Sequence, residues 1–249
     1  MFTVEERDRV REHVMAKGKD DDRVVAAAEV GSLVTGRGDR WSDLDLTFAV
    51  RDEEAIEAIL EDWTRELAEE LDAVHLFDLP ADPTIYRVFL FPGLLQVDIS
   101  FAPASRFYPR SPKFRLVFGE TGEPRYATPP EAGHLFGLAV HHALRARFYV
   151  ERGKVWSAEY WIAELRDHVL ALACLRLGFP TSYARGFDDL PSEVTEPLRA
   201  ALVRSLERDE LLRALEVAVA GLLRESPAAG AIAAKVEPSL RSLIDRDPW

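Results

Sequence analysis

Residues 43–50, Asp-Leu-Asp-Leu-Thr-Phe-Ala-Val, alternate polar with apolar side chains before turning wholly apolar. Successive side chains of a strand point to opposite faces, so Leu44, Leu46 and Phe48 share one face and Asp43 and Asp45 the other. Such a strand belongs in a sheet with helices over one face and two like charges on the opposite one. Carboxylates about 5–7 Å apart repel by a few kcal/mol at an effective dielectric near 20. Folding gains nothing from that arrangement. It calls for a cation between the acids.

The surrounding pattern sets the fold class. Residues 4–19 read as an amphipathic helix and 23–30 as a short apolar strand ending at Gly31. Over 52–72, Ile56, Ile59, Leu60, Trp63, Leu67 and Leu71 recur on one helical face, with acids in the first turn. Three extended runs follow, 73–79, 84–91 and 94–102, bounded by Pro and Gly and expected as adjacent strands. Residues 103–130 read as a turn-rich connector. Beyond it only helical patterns remain, near 131–151, 157–177, 192–205, 208–225 and 227–245. The expectation is an α+β chain: a β-sheet domain with flanking helices over 1–127, then an all-α helical-bundle domain over 128–249; a family resemblance carried by residues 30–46 implies that the sheet is mixed.

A third acid joins the first two. In 95–101, Leu95, Val97, Ile99 and Phe101 form one strand face, and Asp98 projects from the other between Gln96 and Ser100. If this strand neighbours 44–50, Asp43, Asp45 and Asp98 gather on one surface. Mg²⁺ takes hard oxygen ligands of this kind, with water and substrate phosphates completing its octahedron. Two such ions roughly 3.5–4 Å apart would suit phosphoryl chemistry. Gly31-Ser32 lies a loop ahead of the acids, where backbone N–H groups and a hydroxyl can approach a phosphate. Of the loop cations, Arg37 and Arg40 could reach a triphosphate, while Asp39 has no assigned role.

The ordered set Val30-Gly31-Ser32, ten residues, then Asp43-Leu44-Asp45-Leu46 resembles the signature of the nucleotidyltransferase superfamily typified by DNA polymerase beta. Ser42-Asp43-Leu44-Asp45-Leu46 with a helical second half is similar to the antibiotic nucleotidyltransferases that modify aminoglycosides and lincosamides. The resemblance implies transfer of a nucleoside monophosphate, from ATP or another triphosphate, to a small acceptor in the presence of Mg²⁺, with two ions. It implies Gly31 and Ser32 as phosphate contacts, Asp43 and Asp45 as metal ligands, and Asp98 as third ligand or base.

In the helical half, 153–178 places Trp161, Ile162, Leu165, Val169, Leu172 and Ala173 on a buried stripe. Glu159, Tyr160, Ala163, Glu164 and Asp167 cover the other side, an acidic and aromatic set suited to a cationic, ring-bearing acceptor. The resemblance makes Glu159 the preferred acceptor-positioning acid, and Lys154 and Arg152 could clamp triphosphate oxygens. His141 and His142 diverge by about 100° on a helix and cannot chelate one ion together, so no zinc site is expected from that pair.

The formal charge of −12 opposes duplex nucleic acid or tRNA, which would demand a basic stripe, and favours cationic partners. No apolar run reaches the roughly 18 residues of a membrane span. The N-terminus lacks the pattern of a signal peptide. The single cysteine, Cys174, sits in a helical pattern and fits a reducing cytoplasm. Monomer and homodimer both stay open. So do two other functions: a nucleotidyltransferase acting on protein or tRNA, as in antitoxin-type relatives, and a nucleotide-sensing module without turnover.

Overall fold

The computed structural model describes residues 1–36 and 38–245. Among these the chain forms two compact units, the first Met1–Ala127 and the second from Thr128 onward.

The first unit opens with α1 (Val4–Asp20), whose end is closed by a reciprocal cap: Glu6 N donates to Thr3 Oγ1 at 3.1 Å and Thr3 N to Glu6 Oε2 at 2.7 Å. Then come β1 (Val24–Val30), β2 (Leu44–Val50), α2 (Ile56–Leu71), β3 (Val74–Ala81), β4 (Thr84–Phe91), β5 (Leu95–Pro103) and β6 (Phe114–Phe118). The six strands form one mixed sheet in the order β3-β4-β5-β2-β1-β6. Only β2 and β5 run parallel among these pairings; the others are antiparallel. The helix periodicity over 52–72 begins later than expected, because Glu53–Ala55 is a 3₁₀ turn with Asp52 accepting from Glu54 N at 3.2 Å.

Strand β6 was not expected. It lies inside the segment read as a turn-rich connector and pairs antiparallel with β1. The five residues of β6 are too few to show a period. Their strand conformation comes from the free edge of β1. Arg115 on β6 also forms an ion pair with Glu29 of β1, which is buried at 5% exposure and meets Arg11 of α1 at 3.3 Å.

One sheet face carries the core. Leu44, Leu46, Phe48, Val97, Ile99 and Phe101 pack against Val14 and Met15 of α1 and Ile56, Ile59, Trp63 and Leu67 of α2. Each such side chain contributes about 1.5–3 kcal/mol on burial. At its centre Trp63 stands edge-on to both Phe48 and Phe101, each 5.0 Å away between ring centroids. α1 comes so near β2 that a Cβ on Gly18 would lie 2.4 Å from the Phe48 ring. On the opposite face Ala26, Ala28, Ala49 and Phe107 form a smaller buried cluster.

The second unit contains α3 (Ala132–Glu151), α4 (Val155–Leu177), α5 (Ser192–Arg199), α6 (Arg208–Glu225) and α7 (Ala231–Leu243). Ala139, Ala143 and Ala146 of α3 give a small-residue stripe against which Ile162, Leu165, Val169 and Leu172 of α4 and Leu211, Leu215 and Leu222 of α6 pack. Arg147, 1% exposed, donates from Nη1 to the carbonyls of Leu243 and Asp245 at 2.5 and 2.7 Å. It thereby satisfies backbone acceptors at the end of α7 that no helical turn can reach. Cys174 is buried. The fifth and seventh helices are shorter than their sequence patterns: α5 stops at Arg199 rather than 205, and α7 starts at Ala231 rather than 227. Trp161, expected in the buried stripe, is half-buried at its border.

Candidate functional site

Two parallel neighbours carry the acids. Asp45 on β2 pairs with Asp98 on β5, and Thr47 with Ser100. Adjacent strands lie about 4.8 Å apart, so the two carboxylates leave the sheet side by side, away from the helix-covered core. Asp43 stands one residue ahead of β2 and is half-buried. Its charge reaches Asp98. Burial pushes the Asp98 carboxyl above the usual carboxylate range, a hydrogen bond from Gln96 Nε2 at 3.0 Å draws it back, and the Asp43 carboxylate raises it further.

The strand on the other side of β2 closes the cluster. Val30 of β1 pairs with Asp45, and Gly31 follows at φ +82°. A Cβ there would fall 2.0 Å from Asp45 Oδ2. Glycine is required twice over, by its backbone conformation and by the carboxylate pressed against it. The chain then enters a 3₁₀ turn, Ser32–Thr35, with Thr35 Oγ1 donating to Ser32 O at 3.2 Å.

The loop ahead of Asp43 is organised by a residue for which the sequence suggested no role. Asp39 Oδ1 accepts from Trp41 N at 2.8 Å, and Asp39 N donates to Ser42 Oγ at 3.0 Å. Arg7 of α1, 5% exposed, donates from Nη1 to the carbonyls of Asp39 and Ser42 at 2.7 and 3.1 Å. Charged donors on both ends of a four-residue loop fix where Asp43 begins. Arg7 escaped the sequence reading because nothing in a helical charge pattern marks one arginine as buried.

The other expected residues are distributed as follows. Arg40 lays its guanidinium over the exposed Trp41 ring, 4.1 Å from the centroid. Arg37 lies outside the described residues. Glu159 is half-buried on α4, and Lys154, exposed, precedes that helix by one residue. Both belong to the second unit.

The sheet acids fit Mg²⁺ in donor type, register and electrostatics. They are hard oxygens, two of them in register, and the proton affinity of Asp98 is raised first by burial and then by the Asp43 charge, which a cation would offset. Among the described residues the group of three ligand atoms drawn together within 4.8 Å is that of His142, Glu164 and His168, in the second unit.

Over 98% of its length the chain is similar to an aminoglycoside 6-adenyltransferase from Bacillus subtilis, covering 99% of that chain at 13% identity and a TM-score of 0.42. A nucleotidyltransferase-like protein from Exiguobacterium sibiricum matches 98% of the chain over 81% of its own, at 14% identity and a TM-score of 0.43. The nucleotidyltransferase toxin MenT4 from Mycobacterium tuberculosis matches 95% over 90% of its own, at 16% identity and a TM-score of 0.28. Scores this low leave the site to be read from its own geometry. No protein-family model and no curated protein matches the chain.

Proposed function

We propose that the protein is a Mg²⁺-dependent nucleotidyltransferase that moves a nucleoside monophosphate, AMP from ATP as the first candidate, onto a hydroxyl of a small cationic acceptor. An aminoglycoside or lincosamide-like molecule is the acceptor class. The observation that carries this reading is the in-register pair Asp45 and Asp98 on parallel strands, with Asp43 close enough to perturb Asp98.

Asp43, Asp45 and Asp98 would hold the metal, which when bound offsets charge on the phosphates. The backbone N–H groups of the Gly31-Ser32 turn and the Ser32 hydroxyl are proposed as phosphate donors. The acceptor oxygen attacks the α-phosphorus, the bond to the pyrophosphate oxygen breaks, and the acceptor proton passes to a carboxylate. Asp98, where it serves as base rather than as third metal ligand, or Glu159 is proposed to take that proton. Glu159 is proposed to orient the acceptor and Lys154 to pair with triphosphate oxygens. The exposed Trp156 and Tyr160 near Glu159 offer ring faces to a cation.

The test incubates purified protein with Mg²⁺, each of four labelled triphosphates and a panel of aminoglycosides and lincosamides, and seeks nucleotidylated product by mass spectrometry. A product that needs Asp43, Asp45 and Asp98 supports the proposal. Tight triphosphate binding with no adduct on any small acceptor would overturn it in favour of a sensing module, and an adduct only on protein or tRNA would move the acceptor class.

A further inference from the structure

A second cluster lies in the helical unit, and it has donors of a different kind. His142 projects from α3; Glu164 and His168, four residues apart, share one side of α4. One ligand atom from each falls within 4.8 Å of the others. The two imidazoles meet edge to face with centroids 4.6 Å apart. His142 is 7% exposed, and its Nδ1 is buried without a hydrogen-bond partner. A buried polar atom left so costs about 1–3 kcal/mol, and folding alone offers no return for it here.

The partner ring has a fixed tautomer. His168 Nδ1 lies 2.9 Å from the carbonyl oxygen of Glu164. A carbonyl only accepts, so Nδ1 must carry the proton, and in the neutral ring the lone pair is left on Nε2. A backbone carbonyl gripping one nitrogen while the other is free to ligate is the usual support of a metal-binding histidine. The half-buried Trp161 ring, 5.0 Å from His142 between centroids, walls one side.

We propose that His142, Glu164 and His168 form a binding site for a divalent transition-metal ion, zinc by donor chemistry, that clips α3 to α4. Two imidazole nitrogens and one carboxylate suit zinc and its borderline neighbours, not the magnesium expected at all-oxygen Asp43, Asp45 and Asp98. Three protein ligands leave a fourth position for water. The adjacent His141 and His142 diverge on their helix and were not expected to share an ion. The fold instead supplies both missing ligands from the facing helix.

The test uses the full chain carrying Asp43→Asn and Asp45→Asn, which removes the sheet acids as competitors for metal. Titration with Co²⁺ is expected to give one equivalent with a visible d–d band, abolished by stoichiometric Zn²⁺, and Zn²⁺ is expected to raise the thermal midpoint. His168→Gln and Glu164→Gln, both half-exposed positions, should each weaken Zn²⁺ binding by at least tenfold, with unchanged far-ultraviolet circular dichroism. His142→Gln should do the same if it folds. No d–d band with Co²⁺, or a band and a Zn²⁺ affinity unchanged in both the Glu164 and His168 variants, would overturn the site.

Discussion

Asp45 and Asp98 stand beside one another on parallel strands with Asp43 nearby, and the proton affinity of Asp98 is raised by burial first and by the Asp43 charge after it. Removing one charge relieves the others. Asp43→Asn should therefore leave stability unchanged or higher by about 1 kcal/mol, read as the denaturant midpoint, while transfer falls by about 10³-fold or more. A variant that kept its activity would remove Asp43 from the metal set. Gly31→Ala tests the same cluster from the other side. Its methyl group would meet Asp45 Oδ2 at 2.0 Å on a backbone at φ +82°. A loss of about 1–3 kcal/mol is expected, with nucleotide transfer lost in parallel. The sequence displayed both glycine and acids, and their ten-residue separation agreed with a loop. It did not display the contact between them.

Among the elements, α1 reaches furthest from its place in the chain. Through Arg7 it holds the carbonyls of Asp39 and Ser42, and with them the approach to Asp43. Arg7→Met keeps the buried volume and deletes those hydrogen bonds. It should cost about 2 kcal/mol, speed hydrogen exchange at residues 39–42 and weaken triphosphate binding without touching a ligand. The far end of α1 is tied to α2. Asp21 Oδ2 accepts from Trp63 Nε1 at 2.9 Å, and the Arg23 guanidinium bonds to the same carboxylate. Arg23 first, and Trp63 with it, hold the Asp21 pKa at about 2 against an ordinary 3.8. The unfolded chain binds that proton more readily, so the stabilisation is present above pH 4 and lost as pH falls from about 4 towards 2. It amounts to about 2 kcal/mol. Asp21→Asn should flatten this part of the acid-denaturation curve. The strand and helix periods of β2, β4, α3 and α6 were legible to the residue or nearly so, because each spans a full period of its pattern. Strand β6 was not, since five residues paired to an edge take their conformation from the neighbour.

Over the whole molecule the net charge of −12 works against polyanionic partners and draws cations from a distance. If the acceptor is a polycation, kcat/KM should fall several-fold between low salt and about 0.5 M, where the Debye length shrinks to a few ångströms. A flat salt profile would reject a cationic acceptor while leaving the transfer chemistry standing. None of the described helices is long and apolar enough to cross a membrane. What the sequence by itself determined was set by local periods: strands first, helices after, and Asp45 and Asp98 on strand faces turned from the core. Period two decides which face a side chain takes, and that information is written in neighbours along the chain. Tertiary structure alone decided that β2 and β5 lie side by side in register, that a buried Arg7 fixes the loop, and that His142 meets Glu164 and His168 across two helices. Such contacts join residues tens of positions apart, and no spacing within a single element encodes them.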